Sequence, residues 1–410
     1  MLPPILEIYV VWHPGDTAGQ QVTDVLLAHF RGTAFSGLIG GAIDVYVRSS
    51  SRSGSPNDAP LTIPVLAPPP YGLAVPQYTA VVIIAGAELA SAVEDRGPWL
   101  QYLEEVSRSR QAHPDTIGLY PVQVAPLALD NTALGGLLGG IQQVAASAWG
   151  SDEFDETLCR DLAQGIAQTV DPAHQRLQVF ISHTKHHTED EDGALIRLID
   201  LVRRAIDETR LADFFDASDL QPGEDWAPRL EAEATHSALL AVRTDLYSSR
   251  PWCQHEVVTA KRNGMPVVVL DALSVGEERG SFLMDHVPRV AGRRRKKRWS
   301  NEGIRAALNQ LVDECLKRAL WNAQRRIAAG ALNVDIDWWA PHAPEPATFA
   351  HWLDREVDRV DKRNEPIIVL HPDPPLGPDE RDVLVQIGRL AGLEGPFEFL
   401  TPRGLAVHGG

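Results

Sequence analysis

The feature that most constrains this chain is a rhythm: short, almost wholly apolar runs alternate with amphipathic stretches, and the alternation occurs twice. In the first pass Leu6 to Trp12, Ile43 to Arg48, Ala80 to Ala85 and Ile117 to Val124 have the length and apolar content of buried strands. Gln21 to Phe30 and Trp99 to Arg108 carry helical spacing, and Ser49 to Pro76, rich in Ser, Pro, Asn and Asp, reads as a long surface loop. Asp152 to Thr169 follows, with Phe154, Leu158, Leu162 and Ile166 four apart on one predicted helix face, ending before Pro172. In the second pass strands are expected at Leu177 to Ser182, Asp213 to Asp216, Ala238 to Thr244 and Pro266 to Ala272. Helices are expected at Leu195 to Thr209, Trp226 to Ala234 and Trp252 to Asn263, the last stopped by Gly264. Apolar strands alternating with helices bury both faces of a mainly parallel sheet, so the fold class is α/β, as two flavodoxin-like sandwiches.

The two passes share element order and not letters, which suggests duplication of one fold. With 410 residues and roughly 100–200 residues per domain, the predicted domains are 1–172, 173–330 and a C-terminal α/β extension, 331–410. A basic run, Arg293 to Arg298, precedes a long predicted helix from Gly303 to Ile327. The extension offers a helix at Thr348 to Val360, a strand at Pro366 to His371, a helix at Asp379 to Leu390 and a strand at Pro396 to Leu400. That is too short for an independent doubly wound domain, and it is expected to pack on another.

A net charge of -17 works against wrapping a long nucleic acid, which needs a broad basic surface. Three dispersed cysteines, Cys159, Cys253 and Cys315, encode neither a disulfide framework nor a paired-cysteine zinc site. Met1 to Pro4 lacks the basic start of a signal peptide, and the longest apolar runs, such as Val81 to Ala85 and Val267 to Leu270, are strand-sized. A cytoplasmic chain without a membrane span is the expectation.

The chemistry concentrates between Ser182 and Glu256. A strand ends in Phe180-Ile181-Ser182-His183, a second reads Phe214-Phe215-Asp216, and the loop from Ala217 through Ser218 and Pro222-Gly223 to Trp226 follows. Then comes Tyr247-Ser248-Ser249-Arg250-Pro251-Trp252-Cys253-Gln254-His255-Glu256. Pro251 suits the first helical position, and Trp252 and Glu256 lie one turn apart, so an aromatic plate and a carboxylate share a helix face that could grip a planar cation. Ligands of open α/β sheets sit beyond the carboxyl ends of strands, where Ser182, Asp216 and the 217–226 loop fall.

In this order and at these intervals the residues over roughly Arg176 to Val290 resemble a TIR domain, the Toll/interleukin-1 receptor/resistance fold, with Trp-Cys-x-x-Glu as the most specific piece. The resemblance implies cleavage of the bond joining nicotinamide to ribose in NAD+, with Glu256 as the catalytic residue. Phe180, Ile181, Ser182, Asp216, Ser218, Trp226 and Trp252 would line the substrate site. NAD+ would be substrate and not cofactor, no cofactor is implied, and the second product would be ADP-ribose or a cyclic relative. It further implies self-association through TIR–TIR contacts, an activating ligand or partner that the sequence does not identify, and the role of a bacterial antiviral effector. Some members of the family are pure adaptors, so a non-enzymatic scaffold that recruits other TIR proteins is the alternative.

Each singled-out residue has a blander reading. A glutamate near a helix N-terminus is favoured by the dipole alone. Cys253 reads as a core filler, since no companion base is placed for it. His183, His186 and His187 with Glu189 to Asp192 match no zinc spacing, and no metal is expected. Arg293 to Arg298 reads as a solvated charge run that could contact nucleic acid, a signalling nucleotide or a protein surface in assembly. Gly135 to Gly140 lacks the spacing of a phosphate loop and marks a turn or close packing. In the first domain Gly97-Pro98-Trp99 mimics the Pro-Trp helix start, but Leu103 stands four residues after the Trp. Glu104 and Glu105 are rotated away by about 100° and 200°. Residues 1–172 are thus expected to be a TIR-like module without the catalytic acid, for scaffolding or sensing, an unrelated flavodoxin-like sandwich being the other reading.

Overall fold

The computed structural model describes residues 5–32, 35, 43–66, 75–127, 129–144, 149–171, 177–184, 192–209, 211, 214–216, 237–277, 279–295, 298–331, 335–356, 366–393, 395–402 and 404–405. The chain divides into two compact units, Met1–Pro172 with Ala319–Ala331, and Ala173–Arg318 with Leu332–Gly410. Both are α/β with mainly parallel sheets.

The first unit contains β1 (Leu6–Val11), α1 (Ala18–Phe30), β2 (Ile43–Arg48), β3 (Tyr78–Ala85), α2 (Ala87–Glu94), α3 (Pro98–Ala112), β4 (Ile117–Gln123), α4 (Ala133–Leu138) and α5 (Phe154–Val170). Its sheet order is β2-β1-β3-β4, all parallel. A single parallel bridge from Val122 to Val144 occupies the place a fifth strand would take. Every residue of β1 and β3 is buried, as expected for strands covered on both faces. Phe154, Leu158, Leu162 and Ile166 are buried along α5, the face their spacing marks. Sequence periodicity missed α2 and α4, which are too short to show a period. In α4 the Thr132 hydroxyl caps the Gly135 N–H at 2.9 Å, and a Cβ on Gly135 would meet the Leu129 carbonyl oxygen at 1.7 Å. That glycine run is a tight capped helix start.

The second unit begins with β5 (Gln178–His183), α6 (Asp192–Asp207), β6 (Phe214–Asp216), β7 (Ser237–Arg243), α7 (Pro251–Arg262), β8 (Val267–Asp271) and β9 (Arg289–Ala291). Five parallel strands run in the order β6-β5-β7-β8-β9, the 2-1-3-4-5 order of flavodoxin-like sheets. The helix expected at Trp226 to Ala234 lies outside the described residues. Phe180, Leu239, Ala241, Cys253, Val257, Ala260, Val267 and Val269 form the core between the sheet and α7. The basic run forms a small antiparallel hairpin, β10 (Arg294–Arg295) with β11 (Arg298–Trp299), before the long α8 (Asn301–Ala331). The residues of α8 up to Arg318 group with the second unit and the rest with the first.

A three-stranded parallel sheet completes the second unit: β12 (Trp338–Trp339), α9 (Pro346–Glu356), β13 (Ile367–Leu370), α10 (Pro378–Leu390) and β14 (Phe397–Leu400), ordered β12-β13-β14. Trp338 stacks on Trp352 with ring centres 5.2 Å apart, over a core that includes Phe349, Ile367 and Val369. This extension grips the C-terminal end of α7. Lys261 Nζ meets Glu345 Oε2 at 2.6 Å and the Asp285 carbonyl at 2.7 Å, and Gly264, at φ +63°, has no room for a Cβ against Pro341. No helix among the described residues is long and apolar enough to cross a membrane.

Candidate active site

Three residues from separate parts of the second unit meet at the carboxyl end of β5. Ser182 is the penultimate residue of that strand, Tyr247 follows β7 by four residues, and Glu256 sits in the second turn of α7. The Ser182 hydroxyl donates to Glu256 Oε2, and Tyr247 Oη lies 2.5 Å from Ser182 Oγ. A serine has one proton to donate, so with that proton on the carboxylate the Tyr247 hydroxyl is the donor to Ser182. The chain of protons runs from Tyr247 through Ser182 to Glu256. Burial above all, with the nearby Glu256 charge adding to it, holds the Tyr247 hydroxyl well above its ordinary pKa, which keeps it a donor.

The place is set by topology. In the order β6-β5-β7-β8-β9 the chain leaves β5 to one side for β6 and returns to the other for β7. The gap between β5 and β7 is the switch point where open α/β sheets hold ligands. Pro251 starts α7 without forfeiting a hydrogen bond, because the first helical N–H has no partner within the helix. That start puts Cys253, Glu256, Val257 and Ala260 on the buried side.

Trp252 and Glu256 do not have equal exposure. Trp252 is 44% exposed, whereas Glu256 is 1% exposed. Phe180 packs in the core under α7, and Ile181, one residue out of phase, is buried as well. Asp216 is in register with Ile181, one pleat position away from Ser182. Ser218 and Trp226 lie outside the described residues, as do His186 and His187. The structure thus joins Ser182 and Glu256 directly. It adds Tyr247, whose place in the Tyr-Ser-Ser-Arg-Pro-Trp segment was the only sequence signal for it.

Cys253 is buried beside them, and burial together with the Glu256 charge pushes its thiol up to about 12, so it stays protonated and inert at neutral pH. Arg243, at the end of β7, pairs with Asp271 at 2.9 Å and with Glu277. Burial works to raise the Glu277 carboxyl, but hydrogen bonds from Arg243 and Ser248 outweigh it and hold the group below its ordinary value. The Ser248 N–H donates to Glu277 at 3.3 Å, which fixes the segment carrying Tyr247. The hydroxyl of Thr244 is buried and has no partner among the described residues. Leaving that hydroxyl unpaired costs free energy. A cleft of about 370 Å³ lies elsewhere on this unit, lined by Arg243, Ser281, Phe282, Asp285 and Arg289, and contains none of the three hydrogen-bonded residues. No group of three or more metal-ligating side chains occurs among the described residues.

The first unit carries a contrasting version of the same helix start. Trp99, the second residue of α3, is 1% exposed, donates its indole N–H to the Pro56 carbonyl at 2.9 Å, and packs on His13 and Tyr102. Leu103 is buried in the same core. Asp16, after β1, accepts the Glu88 and Leu89 N–H groups at 3.0 Å each and so caps α2.

No family model matches the chain, and no curated protein matches it. Among solved structures, a Silicibacter pomeroyi DSS-3 protein described as a candidate phosphosugar isomerase aligns over 80% of this chain and 87% of its own, at 8% identity. Its TM-score of 0.17 is too low to carry an inference.

Proposed function

We propose that the second unit is a TIR-type NAD+ glycohydrolase with Glu256 as the catalytic carboxylate. One observation carries this reading: a buried Glu256, hydrogen-bonded to Ser182 at the end of β5, stands at the switch point of a 2-1-3-4-5 parallel sheet. Nicotinamide in NAD+ is already a cationic leaving group. When its bond to ribose breaks, the electron pair returns to the ring nitrogen and neutralises it, so no general acid is needed. The demand is on the ribose side, where an oxocarbenium charge develops, and a carboxylate held nearby in a low-dielectric site stabilises it. Water then adds at the anomeric carbon and loses a proton, giving ADP-ribose; capture by a group of the same molecule gives a cyclic product.

In the buried arrangement Ser182 occupies Glu256 Oε2, so NAD+ reaches the carboxylate only after that bond is exchanged for one to a ribose hydroxyl. The geometry described is the resting one, and assembly of copies shifts the population to the open one. Trp252, half exposed at the start of α7, walls the entrance. The reaction belongs to the cytoplasm, where NAD+ is abundant, and an assembly-gated enzyme that drains it fits an antiviral effector. The first unit, with Leu103 where a carboxylate would be needed, serves as a scaffold or sensor.

The test is nicotinamide release from NAD+ by wild type and Glu256→Gln at high protein concentration with a crowding agent. Release by wild type and a loss of roughly 100-fold or more in the variant, at unchanged thermal stability, support the enzyme. No release by assembled wild type leaves the scaffold reading in its place.

A further inference from the structure

The cleft lined by Arg243, Ser281, Phe282, Asp285 and Arg289 has no part in the reaction proposed above, yet it is a constructed feature. Its walls come from the last residue of β7, the first residue of β9 and the loop that joins β8 to β9. At about 370 Å³ it falls at the small end of the range usual for ligand sites. The loop is tethered along its length. The Asp245 carboxylate accepts the N–H groups of Ser274, Val275 and Gly276 at 2.9, 3.0 and 3.2 Å, and Glu277 pairs with Arg243. Further on, Ser281 Oγ accepts the Leu283 N–H at 3.3 Å, Met284 is buried in the core under α7, and the Asp285 carbonyl accepts from Lys261 Nζ at 2.7 Å. A cleft fixed in this way is formed before a ligand arrives, so little ordering free energy is lost on binding.

The lining offers three chemistries. Phe282, two residues from the buried Met284, is 70% exposed, more than any other aromatic ring among the described residues. An apolar ring left in water at a cleft is a surface on which a flat ligand stacks. Of the two arginines, Arg243 spends its charge on Asp271, at 2.9 Å, and on Glu277. Arg289 donates to the Met284 carbonyl at 3.0 Å, which fixes its guanidinium, and no carboxylate among the described residues stands within ion-pair reach of it. A guanidinium presents five N–H donors in a planar fork that suits phosphate. Asp285, exposed in the same cleft, adds a carboxylate of the kind that accepts hydrogen bonds from ribose hydroxyls in dinucleotide sites.

A flat ring, a diol and one anionic group are the three parts of a ribonucleoside monophosphate. One arginine without a counter-charge matches one phosphate, whereas a di- or triphosphate would bring further negative charge to a chain already at -17. We propose that this cleft binds a ribonucleoside monophosphate, with the base on Phe282, the ribose hydroxyls on Asp285 and the phosphate on Arg289. The site is separate from Ser182, Tyr247 and Glu256, none of which lines it. The inference goes beyond the glycohydrolase reading and does not depend on it, since binding is measured without NAD+ and without turnover.

The experiment is isothermal titration calorimetry of the full chain with AMP, and with adenosine, inorganic phosphate and 2′-deoxy-AMP for comparison. Wild type is compared with Arg289→Ala, Phe282→Ala and Asp285→Ala, all at exposed positions, so melting temperatures should be unchanged. The expected result is saturable AMP binding by wild type at millimolar concentration or below, with adenosine and phosphate each weaker by roughly 10-fold or more. Arg289→Ala should bring AMP down to the affinity of adenosine, and Phe282→Ala should weaken AMP by roughly 10-fold. Asp285→Ala should erase the preference for AMP over 2′-deoxy-AMP. Absence of saturable AMP binding by wild type overturns the proposal. So does wild-type affinity for AMP in both Arg289→Ala and Phe282→Ala, which would place the nucleotide elsewhere on the chain. Phosphate that binds wild type as tightly as AMP would make the cleft an anion site alone and overturns it equally.

Discussion

Ser182 and Glu256 lie 74 positions apart, yet the hydroxyl of the first donates to the carboxylate of the second, joining the end of β5 to the second turn of α7. Tyr247 extends that bond by one more donor. Tyr247→Phe removes the donor and leaves the Ser182 oxygen with an unfilled lone pair in a dry site. The expected loss is about 1–2 kcal/mol of stability. It also frees Ser182 to reorient, so the pH profile of nicotinamide release moves in the variant; a profile that merely scales down, with unchanged shape, would assign Tyr247 to packing alone.

The two Pro-Trp helix starts should respond oppositely to truncation. Trp99→Ala opens a cavity in the first unit and costs about 3–5 kcal/mol. Trp252→Ala, at a half-exposed position, costs roughly 1 kcal/mol or less and acts instead on KM for NAD+. Chemical denaturation and steady-state kinetics of both variants check this, and equal destabilisation would contradict the burial difference.

Lys261 and Glu345 make a buried pair between α7 and the C-terminal extension. Burial, working against the Glu345 charge, lowers the lysine's pKa. Replacing either residue alone by Met strands a charge and costs about 3–5 kcal/mol, while the double replacement by Met is close to neutral. A double-mutant cycle in urea measures the coupling, and additive single effects would refute it.

His371, fully buried, and His342, partly exposed at its surface, both have pKa values lowered chiefly by desolvation of the ring. The unfolded chain therefore takes up protons before the folded one, so their contribution to stability is whole above about pH 6.5 and is lost as pH falls below it. Hydrogen exchange of peptides from β12 to β14, corrected for intrinsic rates, should show protection falling between pH 7.5 and 5.5. The double variant His342→Gln, His371→Gln should flatten that fall.

Cys253 should resist iodoacetamide at pH 8 in the native chain and react once denaturant is added, as read by intact-mass spectrometry. Rapid native modification at this position would mean that the end of α7 opens readily.

The α/β class was legible because parallel strands, buried on both faces, leave unbroken apolar runs such as Val81 to Ala85 and Val267 to Leu270. Short elements were not: β9, β12 and the hairpin span two or three residues each, and tertiary pairing, not periodicity, defines them. At the site, helical spacing correctly put Glu256 in α7 but could not say which side of the helix the sheet covers. The carboxylate went inward to Ser182 and the indole outward. Tyr247 was invisible as a partner because a hydrogen bond across 65 positions leaves no local trace.

The grip of the extension on α7 also bears on how such a chain can change over generations. Lys261 sits five residues beyond Glu256 on the same helix, and its counter-charge comes from a segment 84 positions downstream. Recombination that shed the last eighty or so residues, or a cloning choice that trimmed the chain to its middle part, would strand that cation. The tail and position 261 are therefore obliged to evolve as a couple, and the shortest segment that can be inherited, or expressed, as a working module reaches past Glu345.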